Sequence, residues 1–381
     1  MADKRKIHNK NGIKIAMVHD YPPIEGGGLE IHVYKCSRYL LKRGVDVRIF
    51  SSREFSHNFS YKIPKDNFVN IIKPTKKNIS RIIKNFDLIH IHLTFSLRYL
   101  STRVMDYCIK YNKPFIVSFH TSPDHIRFSR IAKSKKRCEM VRQIVKKINK
   151  SHCIVITYSE YNVRQIRKIG IKKDIIHLPL GIDPPFVLSN KTGEIYDVAF
   201  VGELSLMKGI DIFLKALLYL RNNYKNDIKS LIIGDGPQRK FMMNFICTHK
   251  LNAVYKGYIR NANVYNNLKM CKILVHTSRT DVFPTTILES LYMNKPVVAI
   301  NVGGIPEAVR NHGVLTSSSP KSIAKAIYSL ISNNEKRRSI TYNSRAVVKR
   351  FHNMRNQIDM YLNIYKGLIK NEMFRIRGTS R

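Results

Sequence analysis

Hydrophobic positions along the chain form short β-branched runs that alternate with segments of helical periodicity. In the segments 31–42 and 210–220, apolar residues recur every three or four positions, as on one face of a helix. Strand–helix alternation of this kind predicts an α/β fold with parallel sheets and helices on both faces. The predicted strands are Lys14–His19, Val45–Ser51, Leu88–His92, Phe115–Phe119, Cys153–Tyr158, Ile175–Leu178, Asp197–Val201, Ser230–Ile233, Val254–Tyr258, Ile273–Thr277 and Val297–Ile300.

The alternation is interrupted once, in the middle of the chain. Proline and glycine punctuate residues 178–186, and a polar, turn-rich segment follows at 189–194. A chain of 381 residues with 44% hydrophobic residues is long enough for two α/β cores. We therefore predict two Rossmann-like domains and a C-terminal helix followed by a basic tail. The predicted boundaries give the segments 1–185, 186–345 and 346–381.

Charge is the unusual bulk property, with 67 Lys and Arg against 26 Asp and Glu, a net charge of +41. This excess suits nucleic acid, phosphate-bearing small molecules or an anionic membrane surface, and a compositional bias toward Lys, Ile and Asn is the alternative explanation. The densest basic stretch, 127–150, contains Glu139 as its one acidic residue, and Met140, Ile144 and Ile148 follow helical spacing through it. It predicts a basic amphipathic helix that contacts an anionic membrane or packs its apolar stripe on the domain's own sheet.

Cysteine usage and the absence of long apolar runs indicate the compartment. The six cysteines form no CxxC pair, which argues against a zinc ribbon or a redox motif and suits reduced thiols in a cytosolic protein. The first thirteen residues are basic and polar, and nowhere does an apolar run reach the roughly eighteen residues that span a bilayer. We expect a cytoplasmic protein, either soluble or peripheral on the cytosolic face of the membrane.

The first predicted strand runs into a glycine-rich turn before the first helix. Gly27 and Gly28 end this turn, and glycine there lets the backbone approach a phosphate at the helix amino terminus. A flexible turn is the alternative. The spacing is not GxGxxG, so ordinary dinucleotide binding is disfavoured.

The second half carries a sharper motif, in which Asp281 and Glu289 straddle a strand-to-helix turn containing Phe283 and Pro284. A helix that begins near this proline leaves its first amides free for an anion such as a diphosphate. Those amides belong to Thr285, Thr286 and Ile287. An exposed Asp and an ordinary helical Glu are the alternative reading of the pair.

Three further loops follow predicted strands of the second half. Glu203 and Lys208 lie in the first, Gly234 and Gly236 lie in the second, and 303–307 forms the third, with the sequence GGIPE. Open α/β sheets bind their ligands at the carboxyl ends of parallel strands, where these loops lie.

Taken in this order, the loops resemble the donor-binding half of the GT-B-fold retaining glycosyltransferases of family 4 (glycosyl transferases group 1). The resemblance covers roughly residues 14 to 330 and is most specific between 200 and 310. It implies a GT-B architecture whose two parallel sheets face an interdomain cleft and whose last helix crosses back to the first domain. It also implies a hexosyltransferase that retains anomeric configuration and moves a sugar from a nucleotide diphosphate-sugar to a hydroxyl acceptor. That acceptor would be lipid-linked or a growing glycan, and neither a metal nor another cofactor is expected.

The resemblance assigns roles to residues of the second half. The family's paired acids map onto Asp281, which would contact the transferred sugar, and onto Glu289, which would contact the ribose. The phosphate-binding lysine maps onto Lys208, and the backbone around Ile259 would contact the base. The chain departs from the family at Glu203, where an arginine is usual, so a diphosphate would depend on Lys208 and the helix amides.

Histidines concentrate at strand ends of the first half. His90 and His92 alternate on one strand face, a spacing that could hold a metal, although the resemblance implies none. His120 follows the next strand and matches a histidine that the family carries near its reaction centre. We therefore predict His120, Asp281 and Lys208 as catalytic residues and His90 and His92 as neighbours of the acceptor. A structural histidine at a strand end is the alternative for His120.

Two other functions stay open at this point. A basic nucleic-acid-binding protein would explain the charge, but no basic patch is interleaved with stacking aromatic residues, and tryptophan is absent. A sugar-nucleotide-binding module without turnover is motivated by Asp281 and Glu203. The sequence leaves open the nucleotide, the sugar, the acceptor, the linkage and the oligomeric state.

Overall fold

The computed structural model describes residues 12–21, 27–52, 66–94, 99–123, 135–184, 193–224, 227–259 and 261–370. Most of the predicted glycine-rich turn, the first part of the basic stretch, the segment around residue 185 and the basic tail lie outside these residues. The chain divides into two compact units. Unit 1 comprises 1–158, 162–179 and 354–381, and unit 2 comprises 159–161 and 180–353.

Unit 1 is built on a seven-stranded sheet in the order β3-β2-β1-β4-β5-β6-β7, in which every neighbouring pair is parallel. The strands are β1 (Lys14–His19), β2 (Asp46–Ser52), β3 (Val69–Ile72), β4 (Leu88–Leu93), β5 (Phe115–Phe119), β6 (Ile154–Thr157) and β7 (Ile175–His177). Its helices are Gly28–Lys42, Lys76–Asn85, Tyr99–Lys110, Lys135–Lys150, Glu160–Lys168 (with its first two residues in unit 2) and Met354–Ile369.

Unit 2 is built on a six-stranded parallel sheet in the order β10-β9-β8-β11-β12-β13. The strands are β8 (Tyr196–Val201), β9 (Ser230–Ile233), β10 (Ala253–Tyr255), β11 (Cys271–His276), β12 (Val297–Ile300) and β13 (Gly313–Thr316). Its helices are Ile210–Tyr224, Arg239–Thr248, Asn261–Lys269, Thr285–Tyr292, Ile305–Val309, Pro320–Ile331, Asn334–Thr341 and Ser344–Phe351. The predicted α/β class with parallel sheets is confirmed in both units.

The strand order of each sheet reverses once, between β1 and β4 in unit 1 and between β8 and β11 in unit 2. At such a reversal the loops after the two central strands turn in opposite directions and leave a crevice at the carboxyl edge. Residues that follow these strands are therefore the first candidates for a ligand site in each unit.

The pattern of hydrophobic positions did not predict two of the strands, β3 and β13. Both are edge strands of four residues, and their side chains are mostly half-buried rather than buried. A short, half-exposed edge strand needs no continuous apolar run, so its sequence carries little signal. Both strands form because the neighbouring strand offers a row of backbone hydrogen bonds.

The last helix, Met354–Ile369, belongs to unit 1, as the resemblance implied. Tyr361 and Tyr365 on this helix are fully buried, and Arg43 forms an ion pair of 2.7 Å with Asp359. The last described helix therefore packs in the same unit as the first strand.

The basic amphipathic helix is present as Lys135–Lys150. Ile144 and Ile148 are buried in the core of unit 1, whereas Arg142, Lys146 and Lys150 are exposed. The apolar stripe thus packs on the unit's own core, and the cations remain on the surface. None of the helices described here is both long and apolar enough to cross a bilayer.

We predict that Ile358→Ala destabilises unit 1 by about 2–5 kcal/mol, because it removes a fully buried side chain between the last helix and the core. Urea denaturation would measure the change. Asn363→Ala, an exposed position on the same helix, is the matched control and should change stability by less than about 0.5 kcal/mol. Equal midpoints for the two variants would contradict this packing.

Candidate active site

An ion pair lies at the strand reversal of unit 2. Lys208 follows β8, Asp281 follows β11, and Lys208 Nζ lies 2.6 Å from Asp281 Oδ2. Burial alone would raise the pKa of Asp281, but the Lys208 ammonium outweighs it and holds that pKa well below its ordinary value. Burial likewise opposes the charge of Lys208, and Asp281 raises its pKa in spite of that. Both groups are therefore charged at neutral pH.

Close backbone packing fixes the loop that carries Lys208. Gly209 has φ +73°, and a Cβ atom there would lie 2.0 Å from the carbonyl oxygen of Thr277, so only glycine fits. Arg279 binds Asp211 through two hydrogen bonds of 2.8 and 2.7 Å. These contacts join the loop after β8 to the loop after β11 and hold Lys208 beside Asp281.

A second glycine contact supports Asp281 itself. The Gly304 amide donates to the Asp281 carbonyl oxygen over 2.9 Å. A Cβ atom at Gly303, whose φ is +62°, would lie 2.3 Å from that same oxygen. The GGIPE loop after β12 therefore serves as a backbone support for Asp281.

The helix of the paired-acid motif begins at Thr285, with Pro284 as its N-cap and no side chain capping it. The Ile287 amide donates to the Pro284 carbonyl oxygen over 3.2 Å. The prediction that this amide is free is therefore wrong, because the first turn closes on itself. In the part of the chain that the structure describes, the amides of Thr285 and Thr286 contact no acceptor and remain available to an anion.

Glu289 lies farther along the same helix and is 4% exposed. Burial raises the pKa of Tyr265, and the charge of Glu289 raises it further. Phe283 is also buried, and its ring centroid lies 5.3 Å from that of His352. The motif thus brings one acid to the loop and buries the other in the helix.

The remaining predicted donor residues lie at the same edge of the sheet. Glu203 is exposed, and its charge contributes to the raised pKa of Lys208. Gly236 packs on the loop after β8, because a Cβ atom there would lie 2.6 Å from the Leu204 carbonyl oxygen. Gly234 immediately follows β9, and Ile259 is half-buried after β10.

One site residue, His276, was missed by the sequence reading. It ends β11, is buried, and places Nε2 3.7 Å from Asp281 Oδ2. Burial lowers its pKa, and Asp281 opposes that shift. A polar residue that closes an apolar strand just before a ligand loop was the signal that could have identified it.

The predicted histidines of unit 1 form one buried network. His92 Nδ1 lies 2.9 Å from His120 Nε2, and the rings of His90 and His92 stack at 4.1 Å. His90 uses both ring nitrogens within the core, at 2.7 Å from Tyr365 Oη and 2.7 Å from Ser118 Oγ. Of the three predicted histidines, His120 is the one with a half-buried rather than buried side chain. His92 contacts it directly, and His90 stacks on His92 deeper in the core.

Tyrosines complete this network. Tyr158 Oη lies 3.2 Å from His120 Nε2 and 2.7 Å from Tyr361 Oη, which the last helix supplies. Burial lowers the pKa of His90 to about 3, and the pKa of His120 also falls well below its ordinary value. The rings are neutral at pH 7. Within the described residues, no group of three or more His, Cys, Asp or Glu side chains is arranged to hold a metal ion.

The predicted phosphate site at Gly27 and Gly28 contains a carboxylate. Glu30 Oε1 lies 3.2 Å from His19 Nε2, and a Cβ atom at Gly27 would lie 1.6 Å from Glu30 Oε2. The first turn of the helix Gly28–Lys42 is therefore already faced by a negative charge.

Comparison with known families and structures identifies the class of this protein as a glycosyltransferase with the GT-B fold. Residues 26–186 match the model of Glycosyltransferase Family 4, and residues 188–347 match that of Glycosyl transferases group 1. The chain belongs to this family of glycosyltransferases.

Similar proteins cover nearly the whole chain. An uncharacterized glycosyltransferase of Methanocaldococcus jannaschii is 26% identical and covers 89% of this chain and 94% of its own length. One component of the human phosphatidylinositol N-acetylglucosaminyltransferase is 24% identical over 95% of this chain and 76% of its own length. The crystal structure of Anabaena HepE in complex with UDP and glucose superposes with a TM-score of 0.74, at 17% identity, over 93% of this chain and all of that one.

We predict that Lys208→Met destabilises unit 2 by about 1–3 kcal/mol at pH 7, because the Asp281 carboxylate loses its cation. Adding Asp281→Asn should recover part of the loss. Lys215→Met, at an exposed position on the helix Ile210–Tyr224, is the control. Urea denaturation of the parent, of Lys208→Met and Asp281→Asn as single variants and of the double variant gives the coupling energy, and additive effects would show that the pair contributes nothing.

The same pair makes a pH-dependent contribution with a definite sign. The folded state lowers the pKa of Asp281, so the stabilisation is complete above the ordinary pKa of an aspartate, about 3.9, and is lost as the pH falls below it. The gap in stability between the parent and Lys208→Met should therefore narrow in acid.

Proposed function

We propose that this glycosyltransferase retains anomeric configuration and transfers a hexosyl group from a nucleotide diphosphate-sugar to a hydroxyl acceptor. The observation that carries the proposal is the Lys208–Asp281 ion pair at the strand reversal of unit 2, whose loop after β11 leads into a helix with two free amides. One cation and two unpaired amides suit a diphosphate, and a nearby ionised acid suits sugar hydroxyls. The UDP and glucose named for the Anabaena structure agree with this class of donor.

Each group would then contact a separate part of the donor. The diphosphate would bind Lys208 and the amides of Thr285 and Thr286, and Asp281 would accept hydrogen bonds from the transferred sugar. Glu289 would accept hydrogen bonds from the ribose, and the backbone near Ile259 would contact the base. Glu203 is an acidic residue and does not suit a phosphate. Its place near Lys208 weakens the attraction of the site for a diphosphate.

In the chemical step, the acceptor hydroxyl attacks the anomeric carbon on the face that the diphosphate leaves. The bond between that carbon and the phosphate oxygen breaks, and the acceptor's proton passes to the departing diphosphate. Lys208 and the helix amides stabilise the charge that develops on this leaving group. We also propose that His120 contacts the sugar or the acceptor and that no metal is required.

We further propose that the acceptor is lipid-linked and that the enzyme binds it at an anionic membrane surface on the cytosolic face. The phosphatidylinositol in the name of the human relative supports a lipid acceptor. The helix Lys135–Lys150 supports the surface, because Arg142, Lys146 and Lys150 are exposed on it. Its apolar stripe is buried, so attraction would be electrostatic and would weaken with salt.

The donor assignment predicts selective stabilisation by one nucleotide sugar among UDP-glucose, GDP-mannose and ADP-glucose. A donor at a hundred times its Kd should add about 2.7 kcal/mol, seen as a rise in Tm. Glu289→Ala should weaken binding by about 10- to 100-fold, because the ribose loses a charged acceptor worth about 1.5–3 kcal/mol.

Glu335→Ala, an exposed glutamate in the first turn of the helix Asn334–Thr341, is the control for that variant. Stabilisation by none of the three sugars would reject the donor class, and equal affinity in Glu289→Ala would reject the ribose site. NMR of the product then reports its anomeric configuration, and inversion would exclude the retaining step.

The membrane proposal predicts co-sedimentation with anionic vesicles and not with neutral ones, at low salt more than at high salt. Reversing Arg142, Lys146 and Lys150 to Glu should remove most of the binding, since each cation contributes on the order of 1 kcal/mol near such a surface. Reversing the exposed Lys321, Lys325 and Lys336 in unit 2 changes the net charge equally and is the control. Equal losses would mean that net charge alone, rather than this helix, drives the binding.

A further inference from the structure

His276 is a buried imidazole at the donor site to which the proposed transfer assigns no role. Its Nε2 lies 3.7 Å from Asp281 Oδ2, which is beyond hydrogen-bond distance. Across the described residues, this nitrogen has no hydrogen-bond partner. The same carboxylate oxygen accepts a hydrogen bond from Lys208 over 2.6 Å. Asp281 therefore lies between a lysine that pairs with it and a histidine that does not.

The charges around His276 keep it neutral in this arrangement. Burial lowers its pKa, the Asp281 carboxylate opposes that shift, and the Lys208 ammonium adds to the lowering. Glu203 raises the pKa of Lys208 and so favours the charged form of that lysine. On the neighbouring strand β12, the residue opposite His276 is Ala299, which carries no charge.

A bound diphosphate changes this balance because it competes with Asp281 for Lys208. A buried carboxylate that loses its cation is strongly destabilised unless another positive group replaces it or it takes up a proton. If Asp281 itself were protonated, it would lose its strength as an acceptor for sugar hydroxyls. His276 is the adjacent group that can supply the charge and leave Asp281 ionised.

We propose that His276 takes up one proton from solvent when the donor diphosphate draws Lys208 away from Asp281, and that the resulting imidazolium becomes the partner of Asp281. This inference rests on the proposed nucleotide-sugar donor. The proton resides on the imidazole, and an imidazole N–H donates to Asp281 Oδ2. His276 is thus a positioning residue, which keeps Asp281 ionised and does not touch the reacting atoms.

The coupling has a definite sign. Because the imidazole binds a proton only in the complex, donor affinity should rise as the pH falls between the His276 pKa of the complex and that of the free protein. Uptake of one proton corresponds to an affinity about tenfold higher for each pH unit lowered within that window.

Isothermal titration calorimetry in two buffers of different ionisation enthalpy counts the protons taken up per donor. The titrant is whichever of UDP-glucose, GDP-mannose and ADP-glucose binds, since an esterified diphosphate lacks the terminal phosphate that titrates near pH 6. We measure at pH 6, 7 and 8. At a pH that lies between the two His276 pKa values, we expect the parent to take up close to one proton per donor and His276→Gln to take up none. His249→Gln, at the amino-terminal edge of the same sheet, should behave as the parent.

A donor-free measurement tests the same charge balance. In the free protein with Lys208→Met, the pKa of His276, followed by NMR of labelled histidine, should lie above its value in the parent. An unchanged pKa would overturn the proposal whether or not a donor is found. Donor binding without proton uptake at any of the three pH values would overturn the coupling and leave the donor assignment intact. Binding of none of the three sugars would overturn the proposed function and this coupling with it.

Discussion

The candidate active site depends on one interaction, the ion pair between Lys208 and Asp281 at the strand reversal of unit 2. Two charges this close to the core are stable only when the geometry is maintained, because each one alone would be destabilised by burial. The surrounding backbone maintains it through Gly209 on one side and the glycine pair 303–304 on the other. The glycines of these loops therefore position the two charged side chains. They affect a ligand only through those side chains.

Two clusters bury their polar groups in opposite ways. The Lys208–Asp281 pair in unit 2 keeps two full charges, whereas His90, His92 and His120 in unit 1 have pKa values that fall far enough for the rings to remain neutral. Tyr158 and Tyr361 hydrogen-bond to this set or to each other, so the last helix is part of the environment of His120. A charged phosphate suits the first arrangement, and a neutral hydroxyl suits the second.

The structure limits the ways in which a chain with a net charge of +41 could bind a membrane. The helix Lys135–Lys150 buries Ile144 and Ile148, so little apolar surface remains there for insertion into lipid. Its exposed cations can still attract an anionic surface, but such attraction is screened within about 8 Å at physiological salt. Binding through this face would therefore be reversible and would respond strongly to ionic strength.

The sequence by itself determined the fold class, most of the strands and the loops that carry Lys208, Asp281 and Glu289. It could do so because buried parallel strands and glycine-rich loops leave local signals in composition and spacing. Tertiary structure decided what a local pattern does not contain. The edge strands β3 and β13 exist because a neighbour pairs with them. His276 came to lie beside Asp281, five residues further along, because the chain turns back after β11. Its pKa is lowered first by burial in the folded unit, and Lys208, a residue far away in sequence, adds to that lowering.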